Sequence, residues 1–174
     1  MPLSNTLEVR AGELYFVVFG RPQPQGSYRA FIYQKGGNAR AAITSDNKKM
    51  KPYRQQVTDT ALSVLERLEI ERPRHGEHVP VSVELNFFFA KPKSTKKSVL
   101  FPAVKPDIDK LIRSTFDALT GVLFKDDAQV VTVTARKFYD ALERVEIRII
   151  SACDVALATP KHGCDIRRQD VSFS

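Results

Sequence analysis

The chain is poor in the residues that would mark a disulfide scaffold or a membrane protein. It has 174 residues, no tryptophan, and two cysteines, Cys153 and Cys164. Two thiols are most often free and inert, and a zinc site built on them and His162 would lack a fourth ligand nearby. No apolar run approaches the roughly 20 residues that span a bilayer. The first 13 residues lack the apolar core of a secretion signal. We therefore expect a cytoplasmic protein with no membrane partner.

Acidic residues are the scarcer of the two charge types. The chain has 20 Asp and Glu residues against 27 Lys and Arg residues, a formal net charge of +7. A basic excess indicates an anionic partner, of which nucleic acid is the commonest. No helix carries basic residues on one face and Trp or Phe on the other, which argues against a membrane surface. The length and a hydrophobic content of 43% suit one domain with a real core.

Positive charge is concentrated in two segments. Residues 20–54 carry eight basic residues and one acidic residue, and residues 91–105 carry five lysines and no acidic residue. Four aromatic residues lie in the first segment, and aromatic rings among basic residues suit nucleobases or sugars; they are Tyr28, Phe31, Tyr33 and Tyr53. Solvated loops also carry runs of charge. However, this asymmetry is typical of a surface that contacts a phosphate backbone.

Hydrophobic periodicity predicts strands and helices in mixed order. We expect a strand, a hairpin turning at Gly36 and Gly37, a helix, a strand, a helix and two strands. Their ranges are 13–19, 28–44, 52–68, 81–90, 109–120, 128–135 and 144–150. This order predicts an α+β fold: a single domain, residues 1–150, with a mixed β-sheet and two main helices packed on one face. Residues 151–174 form a C-terminal tail of unknown role.

Paired aspartates open the second predicted helix. Asp107 and Asp109 begin the segment KPDIDKLIRSTFDALTG, residues 105–121. An N-cap at Asp109 explains one carboxylate but not two. Asp126 and Asp127 form a second pair, for which a turn is the simpler interpretation. An antiparallel return of the chain can bring Asp127 beside the first pair, and three converging carboxylates need a cation. Hard oxygen ligands with open water positions suit Mg²⁺ or Mn²⁺.

A metal ion between acidic residues and basic segments suits phosphodiester hydrolysis, because it activates water and neutralises developing charge. Arg113 lies one helical turn after Asp109, where it could hold the scissile phosphate or form an (i, i+4) ion pair with Asp109. Nucleotide-sugar transferases also use Asp-x-Asp, but the basic segments and the small size argue against them. The non-enzymatic alternative is a basic DNA-binding or architectural module whose aspartates act as helix caps.

Residues 105–131, KPDIDKLIRSTFDALTGVLFKDDAQVV, closely resemble the signature of RusA-type Holliday junction resolvases. Residues 17–31, VVFGRPQPQGSYRAF, resemble more loosely the N-terminal strand and Pro-rich basic loop of that family. The resemblance covers about residues 14–150. It implies a homodimeric, Mg²⁺-dependent endodeoxyribonuclease that cuts four-way DNA junctions by paired symmetric nicks. It places the metal ligands at Asp107, Asp109 and Asp127, with Asp126 supporting them.

The chain departs from the family at two positions. Arg113 occupies the position of the family's catalytic lysine, and Lys110 stands where the family usually has asparagine. Arginine keeps the charge but is a poor proton donor. We predict that Arg113 acts in catalysis with the three metal ligands. We predict DNA-phosphate contacts from eight basic residues: Arg21, Arg29, Lys91, Lys93, Lys96, Lys97, Lys105 and Lys110.

Overall fold

The computed structural model describes residues 8–10, 13–26, 28–36, 38–45, 47–71, 74–96 and 98–151. The predicted tail lies outside the described residues from residue 152 onward, and so do both cysteines. The elements in chain order are β1 (Glu8–Arg10), β2 (Glu13–Phe19), β3 (Tyr28–Lys35), β4 (Asn38–Ser45), α1 (Met50–Arg67), β5 (Val81–Phe89), α2 (Ile108–Leu119), β6 (Val130–Tyr139) and β7 (Arg144–Ser151), with a short 3₁₀ helix at Asp127–Gln129.

Five of these strands form one mixed sheet in the order β1-β2-β7-β5-β6. Three neighbouring pairs are antiparallel, and β5 and β6 run parallel. Parallel neighbours need a crossover connection, and α2 provides it. Because α2 runs back along the strands, its first turn lies at the end of β5 and its last turn lies near the start of β6. The mixed sheet predicted from the sequence is confirmed.

One face of this sheet is covered by both helices. In β5 every second side chain is buried, in the pattern that period-2 alternation predicts. Buried residues of β2, β5 and β7 share one hydrophobic core with Tyr53 and Val57 of α1 and Leu111 and Leu119 of α2. Burial of such apolar surface is the main source of stability for a domain of this size. The predicted packing of two helices on one face is confirmed.

The opposite face carries charged and aromatic side chains. Arg148 forms an ion pair with Glu13 at 2.6 Å. The rings of Phe88 and Phe138 stack with centroids 5.2 Å apart, and the Arg144 guanidinium lies 3.7 Å from the centroid of Phe88. This face is therefore built from ion pairs and cation–π contacts rather than from an apolar core.

The predicted hairpin forms a separate two-stranded sheet of β3 and β4. Lys35 pairs with Asn38, and Gly36 at the turn has a φ of 64°, a conformation that glycine adopts without steric cost. The hairpin leads into α1, where Pro52 lies in the first turn as predicted.

Candidate active site

The N-cap of α2 lies two residues earlier than the sequence predicted. It is Asp107 and not Asp109, which lies in the first helical turn. The Asp107 side chain makes no capping hydrogen bond, and its Oδ2 lies 3.2 Å from Lys110 Nζ. Asp109 is exposed. Both carboxylates therefore reach solvent at the positive end of the helix, and neither is consumed as a side-chain cap.

The position of α2 is set by its packing on α1. Thr115 is buried, and its hydroxyl donates to the Leu111 carbonyl at 3.0 Å. That hydroxyl also lies 3.0 Å from the buried hydroxyl of Tyr53. Since Thr115 has only one proton to donate, Tyr53 is the donor in the second bond. This chain of hydrogen bonds fixes the helix that carries the aspartates.

The Pro-rich loop of residues 20–26 is attached to the start of α2. Gln25 N donates to the Lys110 carbonyl at 2.9 Å, and Asn47 Nδ2 donates to the Pro24 carbonyl at 2.8 Å. Between loop and helix lies a groove of about 410 Å³, whose lining includes Arg21, Lys105, Asp107 and Lys110. The structure thus brings both basic segments to the first aspartate pair. We refer to this groove as the cationic groove.

A lysine that the sequence reasoning missed supports the same segment. Lys137 Nζ donates to the Val104 carbonyl at 2.8 Å and to the Pro106 carbonyl at 3.0 Å. Lys137 pairs in register with Phe87, whose side chain is buried. The sequence could have indicated this role, because Lys137 lies on the core-facing side of its strand and a charge there needs polar partners.

The second aspartate pair has a structural member. Asp126 Oδ1 accepts a hydrogen bond from Ala128 N at 2.8 Å, and Gln129 Oε1 accepts one from Asp126 N at 3.0 Å. This capping box starts the 3₁₀ helix. Gln129 Nε2 also donates to the carbonyls of Gly76 and Val79. Asp126 therefore serves the turn, as the simpler interpretation held, while Asp127 is exposed.

The two aspartate pairs lie at opposite ends of α2 within one chain. Lys137, near the end of β6, contacts Pro106, whereas Asp127 precedes the first residue of β6. A helix of 12 residues separates them by about 18 Å. Among the residues that the structure describes, no group of three His, Cys, Asp or Glu side chains could hold a metal ion. The three aspartates therefore do not converge within one chain. Asp127 lies before the start of β6, and β6 is the strand that returns to the end of the sheet where α2 begins.

Comparison with known proteins identifies the family. A model of the family "Endodeoxyribonuclease RusA" matches residues 21–150. This chain belongs to the RusA family. It is 32% identical to the uncharacterized protein YqaN of Bacillus subtilis (strain 168) over 144 residues, and this alignment covers 77% of the chain and 93% of YqaN. It is also 32% identical to the crossover junction endodeoxyribonuclease RusA of Lactococcus phage r1t over 74 residues, and this alignment covers 42% of the chain and 56% of the phage protein.

Membership of the RusA family makes the chain an endodeoxyribonuclease. The enzymatic interpretation of the sequence is confirmed, and the alternative of a module without nuclease activity is not supported. No helix in the described ranges is long and apolar enough to cross a membrane.

The basic residues predicted to grip DNA differ in their contacts. Arg21 pairs with Glu143 at 3.1 Å, and Lys91 Nζ donates to the Val99 carbonyl at 2.6 Å. Lys93, Lys96 and Lys105 are exposed. The side chain of Arg29 and the whole of Lys97 lie outside the part of the chain that is described. The structure thus leaves three of these lysines at the surface, and one of them, Lys105, lines the cationic groove.

Two further sequence predictions can be compared with the structure. Arg113 is exposed and has no hydrogen bond or ion pair with any described residue, so the (i, i+4) pair with Asp109 is not formed there. Tyr53 is buried against α2, so its ring is not accessible to a nucleobase, contrary to the expectation for aromatic residues in the first basic segment. The side chains of Tyr28, Phe31 and Tyr33 lie outside the described residues.

The donor chemistry at the start of α2 fits a hard divalent cation. Asp107 and Asp109 offer carboxylate oxygens to solvent, which are the ligands that Mg²⁺ and Mn²⁺ take. The contact of Asp107 with Lys110 is a surface ion pair of low net worth, so it is no obstacle to a cation. Among the described residues, one chain supplies two carboxylates at the start of α2.

Proposed function

We propose that this RusA-family nuclease is a Mg²⁺-dependent Holliday junction resolvase that cuts four-way DNA junctions by paired symmetric nicks, in recombination and repair. Its place of action is the cytoplasm, where recombining DNA would lie. One observation carries the proposal. Asp107, whose side chain makes no capping hydrogen bond, lines the cationic groove at the start of α2, and the exposed Asp109 follows it in the first helical turn. Carboxylates for a cation and basic groups for phosphates thus meet at one place, as phosphodiester hydrolysis requires.

Substrate binding follows from the charges around the cationic groove. Arg21, Lys105 and Lys110 line it, and Lys93 and Lys96 lie exposed in the preceding loop. These residues would hold phosphates on both sides of the scissile bond. Because such contacts release counterions, binding should weaken steeply with salt.

Asp107, Asp109 and Asp127 would hold the Mg²⁺, for which Mn²⁺ is a substitute. When bound, the ion would lower the pKa of a coordinated water and offset charge on the phosphate in the transition state. Arg113, exposed and unpaired among the described residues, would bind a non-bridging phosphate oxygen with its planar fork. Arginine stays protonated, so Arg113 would stabilise charge and would not transfer a proton.

Asp127 would reach the site from a second subunit. In the described sheet β6 is the outermost strand, and Val131 and Val133 on it are exposed. An unpaired strand edge with apolar side chains favours pairing with another chain. Two β6 strands paired antiparallel about a two-fold axis would set the start of one beside the end of the other. The partner subunit's Asp127 would then lie near Lys137, next to Asp107 and Asp109.

The activity is tested with a synthetic four-way junction and a linear duplex, each with and without Mg²⁺. We expect Mg²⁺-dependent nicking of the junction alone. Asp107→Asn should bind the junction as the wild type does and lose cleavage by a factor of about 100 or more, because a metal ion contributes several kcal/mol of charge stabilisation in the transition state. Asp59→Asn on α1, which pairs with Gln55 away from the site, is the matched control. Wild-type nicking by Asp107→Asn would exclude the metal mechanism, and equal cutting of duplex would leave a nuclease without junction selectivity.

The shared site is tested by mixing two inactive variants. If each site takes Asp107 from one subunit and Asp127 from the other, a heterodimer of Asp107→Asn and Asp127→Asn contains one intact site and one doubly altered site. Mixing should then restore single-strand nicking, which neither variant shows alone. If each site belongs to one chain, both sites of the heterodimer are damaged and no activity returns.

A further inference from the structure

Exposed apolar side chains are concentrated in the loop that leads to the aspartates. The described residues include eight large hydrophobic side chains that are exposed, and four of them lie within residues 99–104. Their exposed fractions are 39% for Val99, 69% for Leu100, 59% for Phe101 and 61% for Val104. Single exposed apolar residues are ordinary, but a contiguous group indicates a contact surface. We call residues 99–104 the apolar loop.

The apolar loop is fixed in this exposed position by lysines at both ends. Lys91 Nζ donates to the Val99 carbonyl at 2.6 Å, and Lys137 Nζ donates to the Val104 carbonyl at 2.8 Å. Charge-assisted bonds of this length are the stronger kind. In the middle of the loop the ring of Phe101 contacts the ring of Phe138, with centroids 6.0 Å apart. One part of Phe101 is thus anchored, and the rest faces solvent beside Leu100.

The surroundings of the apolar loop specify the chemistry of its occupant. Lys93 and Lys96 precede it and Lys105 follows it, and all three are exposed. Asp107 lies three residues after Val104. An occupant that is apolar at its centre, anionic at its margins and adjacent to a phosphodiester-cleaving site has the character of nucleobases with their phosphates.

We propose that the apolar loop is a wedge that packs against unstacked nucleobases at the branch point of the DNA junction. This inference rests on the proposed function and deepens it. In a continuous duplex the base faces are covered by neighbouring bases, so Leu100 and Phe101 find no apolar surface to pack against there. At a branch point the stack is interrupted, and apolar side chains can insert between base steps as they do in proteins that kink DNA. The loop is thereby a source of junction selectivity, while the flanking lysines bind any DNA.

The test uses a four-way junction that carries 2-aminopurine at the branch point, with Ca²⁺ in place of Mg²⁺ to prevent cutting. The fluorescence of 2-aminopurine rises when the base unstacks. Wild-type protein should produce this rise. Leu100→Ser, and the double variant with Phe101→Ser, should lose it and bind the junction about tenfold more weakly, with duplex affinity unchanged within about twofold. Leu100→Ser alone leaves the contact of Phe101 with Phe138 in place. Leu142→Ser, an exposed leucine (49%) outside the loop, should behave as the wild type.

Four outcomes would overturn the wedge. The variants could open the branch point as the wild type does, or junction and duplex affinity could fall together. Sedimentation could show that the variants change oligomeric state, which would make the loop a subunit contact. Binding of phosphatidylserine vesicles by the wild type and its loss in the double variant would make the loop a membrane contact. The proposed function fails separately, if the wild type does not cut the junction in Mg²⁺.

Discussion

The hydroxyl of Tyr53 provides a quantitative test of how α1 holds α2. It is buried and donates to Thr115, which in turn donates to the Leu111 carbonyl. Tyr53→Phe removes one hydrogen bond and leaves Thr115 still bonded to Leu111. At pH 8 we expect the free energy of unfolding to fall by about 1 kcal/mol, the usual net value of one such bond.

The cost of the same substitution in unfolding free energy should be smaller at high pH. Burial raises the pKa of Tyr53 well above its usual value in the folded chain. Above about pH 10 the unfolded chain releases the Tyr53 proton while the folded chain retains it, so the wild type loses stability as pH rises. At pH 11 this loss is on the order of 1 kcal/mol, and the phenylalanine variant does not suffer it. The destabilisation of the variant by about 1 kcal/mol at pH 8 should therefore shrink toward zero at pH 11, because the two contributions oppose each other and are of similar size.

The measurement is urea denaturation of both proteins at pH 8, 10 and 11, followed by far-ultraviolet circular dichroism. Tyr15, whose pKa burial also raises, is present in both proteins and cancels in the difference. A difference in unfolding free energy that stays constant across this range would show that Tyr53 ionises as easily in the folded chain. The burial of the Tyr53 hydroxyl between α1 and α2 would then be refuted.

Three further substitutions test other parts of the structure. Lys137→Met removes both hydrogen bonds to residues 104–106, so the Mg²⁺ concentration for half-maximal cleavage should rise about tenfold while junction binding is unchanged. An unaltered Mg²⁺ dependence, or no partial recovery in Lys137→Arg, would contradict this positioning role. Gly121→Ala should lower the free energy of unfolding by about 1 kcal/mol because the φ of Gly121 is 78°, whereas Gly76→Ala, with nothing within 4 Å of the new Cβ, should change it little. Equal denaturation midpoints for the two variants would rule out backbone strain at Gly121. Asp126→Ala should cost about 1 kcal/mol in unfolding free energy as a lost cap and retain Mg²⁺-dependent cleavage; loss of cleavage in a folded variant would make Asp126 a ligand.

Elements with strong local periodicity were predictable from the sequence. The alternation of β5, the glycine turn between β3 and β4, and the proline in the first turn of α1 each reflect chemistry within a few neighbouring residues. The boundary of α2 was less predictable, because Asp107 and Asp109 both have side chains that can cap a helix. Tyr53 was assigned to the basic surface by its charged neighbours, although its helical spacing with Val57 places it on the buried stripe of α1.

The sequence by itself determined the family, the acidic and basic residue types, and the local elements that carry them, because these depend on short spacings. Only the tertiary structure decided where the elements meet. It showed that Lys137 reaches across to Pro106, and that the Pro-rich loop is bonded to the start of α2. It also separated Asp127 from Asp107 by the length of α2, because a helix that joins two parallel strands carries the chain back to the opposite end of the sheet.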